Sequence, residues 1–234
     1  MKAKVAVFMP AYNQEDLIGS SIESIINQTY TDWELFISDD CSSDKTYDVA
    51  MSYVNKFPGK IHLFRNDKNL GITGNCNALL KKCDCEYIAF TAGDDLFEPD
   101  KLRIQMDVME ANNNCILSYH DIEVFDSESN NTLFYWNSGS AGTKAYEGNG
   151  RYISALLTKK GTGFMAALSI IIRRSALPTK GYDTRVPVAS DWLLWIEICA
   201  NSEGDVLFVD KPLARYRKHE SSVTSQGEKY FEDP

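Results

Sequence analysis

The chain is poor in positive charge. Its 24 Lys and Arg stand against 33 Asp and Glu, a formal net charge of −9 in 234 residues. No Lys/Arg-rich tract offsets this balance, which argues against nucleic-acid binding through phosphate neutralisation. Long apolar runs are missing too. No stretch approaches the ~18 apolar residues of a membrane span, and Val5 to Met9 is too short for the core of a secretory leader. His is scarce, with three residues, and the six Cys are scattered. The nearest pair, Cys83-Asp84-Cys85, lacks the C-x-x-C spacing and the neighbouring His of a zinc site. Such thiols suit burial in a reducing compartment, so the expectation is a cytoplasmic protein. The abrupt end at Tyr230-Phe231-Glu232-Asp233-Pro234 reads as a domain of something longer.

The usual phosphate cradles are absent as well. The turn Pro10-Ala11-Tyr12-Asn13-Gln14-Glu15 has neither G-x-G-x-x-G nor G-x-x-x-x-G-K. Gly161-Thr162-Gly163-Phe164-Met165-Ala166 fits G-x-G-x-x-A, but it follows no strand and carries no weight.

What is present is a regular alternation. Val5 to Met9 reads as a buried strand. Leu17, Ile18, Ile22, Ile25 and Ile26 then recur at helical spacing, with Asn13 placed to cap that helix. Further strands are predicted at Trp33 to Ser38, Ile61 to Phe64 and Tyr87 to Thr91, with helices at Tyr47 to Phe57, Asn75 to Lys82 and Asp100 to Asn112. The order β-α-β-α-β-α-β-α predicts an α/β domain with a mostly parallel central sheet and helices on both faces. Ile116 to Val124 is a fifth strand. Asp126 to Gly150 is polar and reads as loop or hairpin. Tyr152 to Leu157 is a short helix, Ala167 to Ile172 a strand, Trp192 to Ala200 a helix, and Val206 to Val209 a last strand. A soft boundary near residue 115 divides a regular half, 1–115, from a less regular one, 116–234, within a single domain.

Three carboxylate clusters stand out: Ser38-Asp39-Asp40-Cys41-Ser42-Ser43-Asp44, Ala92-Gly93-Asp94-Asp95 and Ser190-Asp191-Trp192. The first two close apolar strands, and open α/β sheets bind ligands beyond the carboxyl ends of their strands. Clustered carboxylates repel unless they hold a cation, take up protons or bind hydroxyls, and oxygen ligands suit magnesium or manganese. Plainer roles compete. Asp44 and Asp100 fit helix caps, and on spacing alone Asp191 is as much an N-cap as a catalytic group. His219, in a polar tail, fits a solvated surface residue.

Together the motifs resemble family 2 glycosyltransferases of the inverting GT-A type, over essentially the whole chain. Pro10-Ala11-Tyr12-Asn13 is similar to the family's opening loop. Ile37 to Thr46 resembles its D-D-x-S-x-D-x-T segment, Phe90 to Asp95 its D-x-D region, and Tyr216-Arg217-Lys218-His219 a Y-R-x-H element. Asn69-Leu70-Gly71 and Asn75-Cys76-Asn77 fall in the expected place. The resemblance implies that Pro10, Ala11, Tyr12, Asn13 and Glu15 border the nucleotide, and that Asp39 bonds the base or ribose. It implies that Asn69, Gly71, Asn77 and Asp94 contact the donor, and that Asp94, Asp95 and His219 hold Mn2+ or Mg2+. Asp191 would be the general base. The donor would be a nucleotide-diphosphate sugar, most simply a UDP-sugar. The acceptor would be a glycan or lipid-linked glycan met at the inner face of a membrane. Two departures stand out: Ala92 replaces the first Asp of D-x-D, and Cys76 replaces an Arg. Ala92 keeps a non-catalytic sugar-nucleotide-binding module in play. A sugar-phosphate nucleotidyltransferase fits less well, because Pro10 to Glu15 lacks Gly, Arg and Lys. A phosphate-accepting signalling domain fits poorly, because the polar half beyond residue 125 is too long.

Overall fold

The computed structural model describes residues 3–140, 142–161, 163–187 and 189–219. In chain order the elements are β1 Val5–Ala11, α1 Ile18–Ile26, β2 Trp33–Asp39, α2 Thr46–Lys56, β3 Ile61–Arg65, α3 Gly71–Leu80, β4 Tyr87–Phe90, β5 Leu96–Phe97 and α4 Lys101–Ala111. There follow β6 Cys115–Asp126, β7 Thr132–Tyr135, β8 Gly148–Asn149, α5 Gly150–Lys160, β9 Ile171–Arg173, α6 Ser190–Asn201 and β10 Asp205–Lys218. One sheet carries the order β3-β2-β1-β4-β9-β6-β10-β5, with β7 on β6 and β8 on β10. Strands β3, β2, β1 and β4 are parallel neighbours, β9 runs antiparallel between β4 and β6, and β10 lies parallel to β6. The sheet therefore runs unbroken across residue 115.

Side-chain alternation builds three layers. Val5, Val7 and Met9 of β1 pack with Ile18, Ile22 and Ile25 of α1, Ala50 of α2 and Met106 of α4. Ala6 and Phe8 point the other way, into a cluster with Leu79 of α3, Ile153 and Leu157 of α5, and Trp195 and Ile198 of α6. A strand buried on both faces reads as a continuous apolar run, as β1 does.

Several boundaries differ from the sequence reading, while the hairpin expected after Phe125 is present. Helix α3 begins at Gly71, four residues before Asn75, because its first turn holds two glycines that mask the helical pattern. The segment 167–169 is a 3-10 turn, and β9 starts only at Ile171. The polar stretch after Phe125 does contain a hairpin strand, β7. Strand β10 does not stop at Val209. It passes through Asp210-Lys211-Pro212 with register shifts against β6 and continues to Lys218. That extension carries Arg217 and His219 to the turn after β4. The segment Tyr230 to Pro234 lies outside the described residues.

Candidate active site

The site surrounds the carboxyl end of β1. Ala11 is in register with Asp39 on β2, and Asp40 donates its N–H to the Ala11 carbonyl. The next residues are clasped by the loop after β2. Ser42 Oγ accepts from the Asn13 amide at 2.9 Å, Thr46 Oγ1 from Gln14 at 2.6 Å, and Asp44 Oδ2 from Glu15 at 3.0 Å. The clasp is reciprocal: Asn13 Oδ1 accepts from the Ser43 amide, and Glu15 Oε2 from the Lys45 amide. Asn13 adopts φ 50° and does not cap α1, correcting the expectation from sequence. Burial alone would raise the Asp44 carboxyl, but bonds from Thr46 and from the Glu15 amide hold it below its ordinary value. Asp44 thus supports the start of α2 and the first loop together. Tyr12, beside the clasp, is left 46% exposed.

Asp39 is fully buried. Its Oδ2 meets Arg65 Nε at 3.2 Å and the Ser42 amide at 3.2 Å, while its Oδ1 is buried with no partner among the described residues. Asp40 turns the other way and accepts from Asn66 Nδ2 and the Leu70 amide. Asn75 joins this group, donating to the Ser38 carbonyl and accepting from Asn66. Asn69, expected on the donor, uses Oδ1 to accept from the Gly71 amide, and Gly71 itself sits at φ 71°. Asn77, also expected there, uses both ends of its carboxamide on the backbone of Tyr182. Sequence proximity to the donor loop concealed these scaffold bonds.

Across β1 lies the turn after β4. A side chain at Gly93 would come within 2.4 Å of Gln14 Oε1 and 3.3 Å of Ala11 Cβ, so the bare backbone lets this turn close on the first loop. Asp94 Oδ2 lies 2.9 Å from His219 Nε2, with both side chains mostly buried. Arg217 donates Nε to the Asp94 carbonyl and its amide to Asp95 Oδ1 at 2.9 Å. Burial first, and then the neighbouring Asp94 charge, push the Asp95 carboxyl well above its ordinary range. The structure therefore brings Asp94 and His219 together and sets Asp95 beneath them, bonded to β10. No group of three or more His, Cys, Asp or Glu fit to hold a metal occurs among the described residues. One carboxylate and one imidazole nonetheless fit a divalent cation that takes its remaining ligands from a diphosphate and water. At position 92 the alanine offers no ligand. Asp100, read as an N-cap, makes no cap bond and instead pairs with Thr29 and Arg103.

Asp191 lies in the first turn of α6. It is not the N-cap, a position held by Ala189 without a side-chain bond. Its Oδ1 accepts from the Trp192 amide at 2.7 Å, and burial raises its carboxyl above the ordinary value. Thr73 of α3 bridges to Ser190 Oγ at 3.0 Å and donates to the Pro187 carbonyl, tying this turn to the helix that carries Asn75. Burial first, and then the charges of Asp191 and Asp40, push the Cys76 thiol well above its ordinary range. The clusters lie on adjoining elements: Asp39 ends β2, Asp40 follows it and Asp94 follows β4, the two strands that flank β1, while Asp191 lies in the first turn of α6, which Thr73 ties to α3. Sequence reasoning missed Arg65, whose signal is its register with Asp39 across β2 and β3.

This sheet, with helices on both faces, has the GT-A architecture. Over 95% of its length the chain superposes on S. aureus TarS in complex with UDP-GlcNAc, with a TM-score of 0.73 and 20% identity, covering 60% of that chain. The Pyrobaculum calidifontis mannosyltransferase PcManGT, in complex with GDP-Man and Mn2+, superposes over 98% with a TM-score of 0.66 and 16% identity, again over 60% of that chain. At such identities the likeness is one of fold. The family model "Glycosyl transferase family 2" matches residues 6–178, and the chain belongs to that family. In sequence it is 28% identical over 221 residues to the Escherichia coli UDP-Glc:alpha-D-GlcNAc-diphosphoundecaprenol beta-1,3-glucosyltransferase WfgD, covering 94% of this chain and 79% of that protein. It spans three-fifths of the two solved relatives.

Proposed function

We propose that the chain transfers a hexosyl group from a UDP-sugar to a hydroxyl of a glycan or lipid-linked glycan, with inversion. The observation that carries this is the placing of Asp39 and Asp94 at the ends of β2 and β4, the two strands that flank β1, in a family 2 glycosyltransferase. UDP is favoured over GDP by the names of WfgD and TarS, and the lipid-linked acceptor by WfgD.

The roles follow from position. Tyr12 and Asp39 border the base, and the clasped loop holds them still. Asp94 and His219 would hold Mn2+ or Mg2+, with Asp95 and Arg217 fixing the turn that carries Asp94. When bound there, such a cation would supply Lewis-acid neutralisation of the charge on the departing diphosphate. Asp191 takes the proton of the acceptor hydroxyl as that oxygen attacks the anomeric carbon from the face opposite the diphosphate. One displacement inverts the centre, and no covalent glycosyl-enzyme forms.

Ala92 favours a second reading, a module that binds nucleotide sugar without turnover. Release of UDP from UDP-glucose or UDP-GlcNAc, with Mn2+ and a polyprenyl-diphosphate-linked GlcNAc acceptor, separates the two. Acceptor-dependent release supports the transferase. Binding of the donor with no release under any acceptor would leave only the module. Equal thermal stabilisation by UDP-, GDP- and dTDP-sugars would remove the uridine assignment.

A further inference from the structure

Asp39 carries a buried carboxylate oxygen that has no partner among the described residues. Buried polar groups are almost always hydrogen-bonded, and an exception calls for an explanation. Here the other oxygen is fully engaged. Asp39 Oδ2 takes Arg65 Nε and the Ser42 amide, while Arg65 Nη2 donates to the Ser42 carbonyl at 2.9 Å. Asp39, Arg65 and Ser42 form a closed ring. The guanidinium also lies over the Tyr47 ring, 5.0 Å from its centroid, so it is fixed by stacking as well as by bonds.

We propose that Arg65 sets nucleobase selectivity by positioning Asp39. This rests on the reading of Asp39 as the contact to the base. Pinned through Oδ2, the carboxylate presents Oδ1 in one direction, and an ionised carboxylate only accepts. Uracil offers a ring N–H at N3, whereas cytosine has a lone pair at the same place. The fixed oxygen therefore bonds one pyrimidine and repels the other, so selectivity includes rejection of the wrong base as well as attraction of the right one. Lysine in place of Arg65 keeps the charge but cannot span Asp39 and the Ser42 carbonyl with one planar group.

Calorimetric titration of the chain with UDP and with CDP, each with MnCl2, reads this directly. The wild type should prefer UDP. Arg65→Gln should weaken UDP by about tenfold and leave CDP within about twofold, so the ratio collapses. Arg65→Lys should recover part of the preference. Arg65 is 43% exposed, so these variants should fold, and their melting curves check that. Equal weakening of both nucleotides, or an unchanged ratio, would overturn the proposal. Asp39→Asn separates the two levels of inference. If it erases the UDP preference while Arg65→Gln does not, only the role of Arg65 is lost. If Asp39→Asn keeps the preference, or the wild type has none, the base contact at Asp39 is itself wrong.

Discussion

At the scale of single residues, the sharpest question is what Asp191 does. Other acids near it are already committed: Asp183 is held low by Arg185, and Glu197 pairs with Lys180. Among the described residues Asp191 Oδ1 accepts from the Trp192 amide, and an Asn side chain can accept that bond equally well. Asp191→Asn should keep its melting temperature and donor affinity but lower turnover by roughly 10²-fold or more. Near-normal turnover would move the base elsewhere. The pH profile adds a second check. A base works deprotonated, and burial raises this carboxyl above 3.8. Activity should therefore fall as pH drops through a value above the ordinary aspartate range, and the acid limb of kcat/KM should sit there. A limb at or below 3.8 would contradict the assignment. At the turn after β4, Asp94 and Asp95 should separate. Asp94→Ala should abolish the gain in donor affinity on adding Mn2+. Asp95→Asn, which still accepts from the Arg217 amide, should keep most of that gain. Comparable losses in the two variants would place the metal on both.

At the scale of elements, the loops after β1 and β2 act as one unit. Asp44 accepts from the Glu15 and Thr46 amides, and both lose their partner in Asp44→Ala. Two charge-assisted bonds lost together should cost about 2–3 kcal/mol. Donor affinity should fall with the melting temperature, because the clasp carries Tyr12 and Asp39. A variant that melts early but binds normally would confine Asp44 to a structural part. This pairing also marks how far the sequence could be read. The runs of β1, β2 and β4 are buried on both faces, so their unbroken apolar character, alternating with helical patterns, showed the parallel core plainly. Asp39, Asp94 and Asp191 stood at strand or helix ends, where local pattern is informative. The backbone bonds of Asn69 and Asn77 were not legible, because a carboxamide bonds a ligand or a backbone with equal ease and only tertiary contact shows which backbone it meets. Arg217 and His219 were visible as a motif, but their approach to Asp94 depends on β10 continuing past Pro212. Proline ordinarily ends such a strand, and the register shifts that carry it through leave no local signal.

At the scale of the whole molecule, charge constrains how a lipid-linked acceptor is reached. No helix among the described residues is long and apolar enough to cross a membrane. The net charge of −9 gives a bilayer of anionic lipid no general attraction for this chain. Under the proposed function, recognition of the acceptor beside Asp191 would supply the attraction to the membrane. Vesicles of anionic phospholipid alone should sediment little of the protein. The same vesicles carrying polyprenyl-diphosphate-linked GlcNAc should recruit it, more strongly with UDP and Mn2+ present. Because contact with the acceptor is local, raising salt from 50 to 200 mM should leave recruitment nearly unchanged, whereas binding by a basic patch would weaken steeply as screening shortens to about 8 Å or less. Salt-sensitive binding to acceptor-free vesicles would mean that a charged surface, not the glycan, brings this chain to the membrane.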